Sequence, residues 1–176
     1  EKHHLGKKTC NVPLETCASF GTAAEFLVRN RLAKTVSQTE MLENLARSRE
    51  MGLVLSADNV RKHVGAICSC CPCCCNILTG IGKFGYTGIL VTSNFIAHVD
   101  EATCIGCGLC AKACPIDAIT MAPDENRQTK RKKKPVIDLS LCVGCGVCSL
   151  KCTRTDSLKL VKRKKRVLHP ETTMEK

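Results

Sequence analysis

Aromatic side chains are nearly absent, with 3% of 176 residues comprising four Phe, one Tyr and no Trp. A chain of one or two small domains with so few large side chains has a thin apolar core, so covalent or metal cross-links must supply much of its stability. No apolar run of transmembrane length occurs, because Lys83 interrupts the most apolar region. A Ser/His/Asp set or an acid–base carboxylate pair tied to a recognisable pocket is also missing, which leaves little basis for hydrolytic chemistry. Acidic charge is scarce, with 16 Asp and Glu against 27 Lys and Arg and a formal net charge of +11.

Cysteine is what the chain has in excess, at 16 residues. In a secreted protein that number suggests disulfides, but the spacing here is that of metal ligands. Cys104, Cys107, Cys110 and Cys114 stand as Cys-x-x-Cys-x-x-Cys-x-x-x-Cys followed by Pro115, and Cys142, Cys145, Cys148 and Cys152 repeat the pattern. Three cysteines at steps of three can wrap one cubane from a tight loop, while a fourth on the helix beyond points elsewhere. Gly106, Gly108, Gly144 and Gly146 alternate with the cysteines, where the backbone must curl closely and aim its amides at cluster sulfurs. A pair of zinc ribbons is the rival, but two separated Cys-x-x-Cys pairs would satisfy zinc without requiring two identical four-cysteine runs.

On these residues, 96–162 resemble a bacterial-type ferredoxin with two [4Fe-4S] clusters. The resemblance implies an α+β fold, a small pseudo-twofold domain in which each half runs strand, cluster loop, short helix, strand. It places Ile96 to Asp100 and Val136 to Leu139 in leading strands, and Ala118 to Met121 and Ser157 to Val161 in trailing ones. It also implies crossed ligation, with one cluster on Cys104, Cys107, Cys110 and Cys152 and the other on Cys142, Cys145, Cys148 and Cys114. Two departures stand out: Thr153 replaces the proline expected after the last cysteine, and Pro123 to Lys134 enlarges the central connection with charge.

Ahead of this domain, residues 1–95 read as a mainly helical, cysteine-rich module. An amphipathic helix is expected from Thr22 to Ala33 with Leu27, Val28 and Leu32 buried. A second begins at a Ser37/Glu40 capping box, buries Met41, Leu42 and Leu45, and stops at Gly52 before a short strand, Leu53 to Leu55. Helix, glycine and strand also suggest part of a winged helix, but no recognition helix follows. Six cysteines crowd into eight residues at Cys68, Cys70, Cys71, Cys73, Cys74 and Cys75, and with Cys10 and Cys17 they number enough for one or two further [4Fe-4S] clusters. A zinc site combining Cys10 or Cys17 with this run is the alternative. Leu5 to Cys10, Pro13 to Gly21 and Ile67 to Cys75 resemble a prokaryotic family of larger 4Fe-4S binding proteins. That resemblance implies a cysteine-rich module before the ferredoxin domain and a further cysteine pair upstream of Glu1.

Gly80-Ile-Gly-Lys-Phe-Gly85 has the glycine spacing of a dinucleotide loop, but no strand leads into it, and a flexible connection is expected instead. The basic runs Lys130 to Lys134 and Lys162 to Arg166 suit the docking of an acidic redox partner; the tail 163–176 is basic and polar, with an extended arm or disorder expected after His169. Because each oxidised cubane with four thiolates carries about −2, loading lowers the net charge to about +7 with two clusters and about +3 with four.

The sequence therefore points to an electron-transfer iron–sulfur protein of a reducing, anaerobic cytoplasm. It reads as a ferredoxin-like subunit of a larger oxidoreductase complex, with redox protein subunits as partners and no nucleic acid. Two alternatives remain open: a redox enzyme with its active site at Cys68 to Cys75, and an iron–sulfur sensor that binds nucleic acid through the basic runs.

Overall fold

The computed structural model describes residues 3, 5–90, 93–126 and 131–175, and mixes helices with strands. By their internal contacts the residues form two units: Thr9–Cys71 with Leu168–Lys176, and Glu1–Lys8 with Pro72–Val167. Among the described residues, no helix is long and apolar enough to cross a membrane.

The unit containing Thr9–Cys71 has a three-stranded antiparallel sheet of β1 (Ala18–Ser19), β2 (Val54–Ala57) and β3 (Ala66–Cys70), with β3 in the centre. Helices α1 (Gly21–Arg29) and α2 (Gln38–Glu50) lie between β1 and β2 in the chain. The capping box forms as the sequence predicts: Glu40 N–H donates to Ser37 Oγ at 3.2 Å, and Ser37 N–H donates to Glu40 Oε2 at 2.7 Å. Gly52, at φ 73°, ends α2, and Leu53 N–H reaches back to Ser48 O at 3.0 Å, so the last turn closes on its own carbonyls.

The inward face of α2 differs from the predicted one. Leu42 is exposed, and the inward row is Met41, Asn44, Leu45 and Ser48, the i, i+3, i+4, i+7 stripe of one helix face. Asn44 is held there because its Nδ2 donates to Thr16 O at 3.2 Å. The expected burial on α1 is also not found, since Val28 and Leu32 are exposed and the helix has no buried residue. The chain after His169 is tied down by hydrogen bonds. Arg61 N–H donates to Pro170 O at 3.0 Å and Lys62 N–H to Glu171 O at 2.8 Å, so this polar segment is fixed by backbone pairing that composition does not reveal.

In the other unit, α3 (Asn76–Phe84) occupies the glycine-rich stretch expected to be a flexible connection. Its glycines serve close packing. A Cβ on Gly82 would lie 3.1 Å from the Cα of Ile116, and Ile81 and Ile116 are fully buried. Gly85, left-handed at φ 67°, caps the helix.

After α3 come β4 (Phe95–Val99), α4 (Leu109–Ala113), β5 (Ile119–Pro123), β6 (Lys133–Ile137), α5 (Val147–Leu150) and β7 (Leu158–Lys162). Strand β4 pairs antiparallel with β7, setting Ala97 opposite Leu160, and β5 pairs antiparallel with β6, setting Met121 opposite Pro135. The first strand of the segment thus meets its last. Two further backbone bonds continue these ladders, Asp100 N–H to Ser157 O and Asp138 N–H to Ala118 O, each at 2.8 Å. Small and branched side chains fill the interior, including Ala97, Ala118, Ile119, Val147 and Leu158. Of the first basic run, Lys130 lies outside the described residues.

Candidate iron–sulfur centre

Each cysteine loop starts from an aspartate turn. Asp100 accepts from Ala102 N–H and from the Thr103 hydroxyl, and its carbonyl takes Cys104 N–H at 3.1 Å. Asp138 accepts from the amide and hydroxyl of Ser140, and its carbonyl takes Cys142 N–H at 3.0 Å. These donors hold both carboxyls below the ordinary aspartate value, led by the Thr103 hydroxyl at Asp100 and the Ser140 hydroxyl at Asp138.

The loops then curl through left-handed glycines, Gly106 and Gly108 in the first and Gly144 and Gly146 in the second. Gly106 has no room for a side chain, because a Cβ would collide with Lys133 O on β6. At Gly144 the obstacle is Phe95 O on β4. The backbone curl also turns an amide toward sulfur, with Gly106 N–H 3.5 Å from Cys104 Sγ.

Two cavities result. One is lined by Cys104, Cys107, Cys110 and Cys152 among apolar neighbours such as Val99 and Leu158. The other is lined by Cys114, Cys142, Cys145 and Cys148, with Ile116, Ile119 and Leu160. The fourth cysteine of each run therefore lines the cavity of the other run's first three. Burial pushes Cys148 up to about 12, with the neighbouring Cys145, Cys114 and Cys142 thiols adding to it. Burial likewise raises Cys110 and Cys145. Without iron these sulfurs keep their protons at neutral pH, and a bound cation must displace them. Four sulfurs around a mainly apolar cavity, with no carboxylate or imidazole in either lining, suit iron held by thiolate.

The remaining cysteines are not among the residues that line either cavity. Cys10 Sγ is 3.7 Å from Cys71 Sγ, and Cys73 Sγ is 3.8 Å from Cys74 Sγ. Cys17 and Cys68 are exposed, Cys70 is the last residue of β3, and Cys75 caps the start of α3.

Two site residues have no signature in the sequence. Arg131 Nη1 donates to Cys107 O at 2.8 Å. Arg163 donates from Nε to Ser93 O at 3.1 Å and to Phe95 O at 3.2 Å, and from Nη2 to Cys142 O. Both belong to basic runs whose composition suggests only solvent-facing charge.

Comparison with known proteins agrees with this chemistry. The family model of the 4Fe-4S dicluster domain matches residues 103–155. A subunit of the ion-translocating oxidoreductase complex of Thiobacillus denitrificans (strain ATCC 25259 / T1) is 63% identical over 27 residues, which is 15% of this chain and 14% of that protein. The equivalent proteins of the same complex from Azoarcus sp. (strain BH72) and Serratia proteamaculans (strain 568) are each 59% identical over 27 residues, 15% of this chain and 15% and 14% of those proteins. The matched stretch is thus about a seventh of each relative. Residues 103–155 are a 4Fe-4S ferredoxin domain within a larger protein.

Proposed function

We propose that the chain relays single electrons through two [4Fe-4S] clusters as a ferredoxin-like component of a larger oxidoreductase complex. One cluster rests on Cys104, Cys107, Cys110 and Cys152, the other on Cys142, Cys145, Cys148 and Cys114, in a pseudo-twofold domain. The observation that carries this reading is the exchange of the fourth cysteine between the two cavities. When bound, each cluster supplies a one-electron redox couple. The chain's own residues hold the thiolates, exclude water with Val99, Ile116, Ile119, Leu158 and Leu160, and direct backbone amides toward sulfur. The relatives belong by name to an oxidoreductase complex, and their likeness over 27 residues supports a redox complex as the setting here.

A further metal centre on the cysteines of residues 1–95 belongs to this reading. A tetrahedron of thiolates around one zinc ion has edges of about 3.8 Å, given metal–sulfur bonds of about 2.3 Å. The 3.7 and 3.8 Å separations match that edge. A cubane puts each thiolate on a different iron and spreads them wider. Each close pair, Cys10 with Cys71 and Cys73 with Cys74, is therefore spaced as two thiolates on one ion and not as two ligands of the additional cubanes that cysteine number alone suggests.

Metal analysis of anaerobically purified protein tests both parts. About eight iron and eight sulfide per chain are expected, with one further zinc or iron that brings no sulfide. Cys145→Ala removes one cubane and lowers the melting temperature of the domain; unchanged iron content overturns the ligand assignment. About 16 iron and 16 sulfide would restore the four-cubane alternative.

A further inference from the structure

We propose that Arg131 and Arg163 set the reduction potentials of the two clusters, one guanidinium to each ligand loop. The inference rests on the cluster assignment above and concerns what the two basic runs do inside the domain. Arg131 stands before β6 and reaches Cys107 O in the first loop. Arg163 follows β7 and reaches Cys142 O in the second. Each run thus turns one arginine onto the carbonyl of a ligand cysteine while Lys132, Lys164, Lys165 and Arg166 stay exposed.

The second contact is the more firmly held. Arg163 is half-buried, and its guanidinium gathers the carbonyls of Ser93, Phe95 and Cys142. Its backbone N–H donates to Asn94 O at 2.9 Å, and the Asn94 side chain bonds both Val167 N–H at 2.6 Å and Val167 O at 3.1 Å. Arg163 is therefore fixed from both directions along the chain. Arg131 is exposed, and its partner among the described residues is the Cys107 carbonyl.

Reduction adds one electron to a cluster that already carries about −2 with its four thiolates, so a fixed positive charge nearby favours the reduced form. A charged donor on the Cys107 or Cys142 carbonyl also polarises that peptide, making the N–H on its other side a stronger donor. Both effects raise the potential. The half-buried Arg163 should act nearly independently of salt, while the effect of exposed Arg131 should shrink as ionic strength rises.

The test is an anaerobic redox titration with dithionite, followed by EPR, on the full chain and on Arg163→Gln, Arg163→Lys and Arg131→Gln. Iron and sulfide are measured first, so that failure of cluster binding is told apart from failure of this proposal. In Arg163→Gln, one of the two clusters should become harder to reduce. The reduced-to-oxidised ratio at fixed potential should fall on the order of three- to tenfold, tenfold being about 59 mV for one electron. Arg163→Lys should restore most of the shift, and Arg131→Gln should move the other cluster, less so at high salt. If Arg163 is only a clamp, Gln and Lys will both lower iron content and melting temperature while molecules that keep both clusters titrate as the unmodified chain does. That result, or a shift of both clusters together by either variant, overturns the proposal.

Discussion

Gly144 and Gly146 are two residues apart, both with positive φ, yet they tolerate a side chain very differently. A Cβ at Gly144 runs into the backbone oxygen of Phe95, whereas at Gly146 the nearest atom is the mobile end of Leu160 at 3.2 Å. Gly144→Ala should therefore cost at least about 2 kcal/mol and weaken retention of the cluster at Cys142, while Gly146→Ala costs about 1 kcal/mol from its dihedral alone. Thermal unfolding of the two variants, with iron content, checks this, and equal losses would contradict it. At this scale the cysteines that line the two cavities are legible because their spacing is a local property of the loop. The arginines are not, because a long side chain's partner depends on which strand lies beside it. Arg163 is separated in sequence from the carbonyl of Phe95 by more than the whole cluster region, and no local pattern encodes that reach.

Helices show where sequence patterns succeed and fail. The cap at Ser37 is readable because its donor and acceptor lie within four residues, and Ser37→Ala should destabilise the Thr9–Cys71 unit by about 1 kcal/mol while leaving the ferredoxin clusters' iron unchanged. A calorimetric melt with parallel iron analysis would test this, and loss of cluster iron would count against it. The burial of α2 departs from its apolar pattern by a fraction of a turn, since Asn44 and Ser48, not Leu42, complete its inward stripe. In α3 the glycines resemble a flexible connection, but Gly82 is needed for backbone proximity to Ile116. Strands of the ferredoxin domain fall within a few residues of expectation, because turn residues and cluster loops bracket them on both sides.

At the scale of the whole molecule, charge is the feature that composition makes plain. A formal excess of +11 shrinks as clusters bind, leaving positive charge concentrated in two short runs. Replacing Lys164, Lys165 and Arg166 with Gln should slow reduction by dithionite, an anion, and speed reduction by reduced methyl viologen, a cation. Both differences should fade at high salt. Stopped-flow rates at two ionic strengths decide it, and identical rates with both reductants would show these side chains to be kinetically silent.

The bonds from Arg61 and Lys62 to Pro170 and Glu171 also bear on the order in which the protein is made. Between Lys62 and Glu171 the ribosome must add roughly 110 residues, on the order of 5–20 s of synthesis. Throughout that interval the Thr9–Cys71 unit lacks its last backbone partners, while every residue of the ferredoxin domain is already on the growing chain by its end. The unit's last pairing therefore waits on the synthesis of the ferredoxin domain, and a chain truncated after Val167 should keep that domain's iron while its Thr9–Cys71 unit opens more readily to protease.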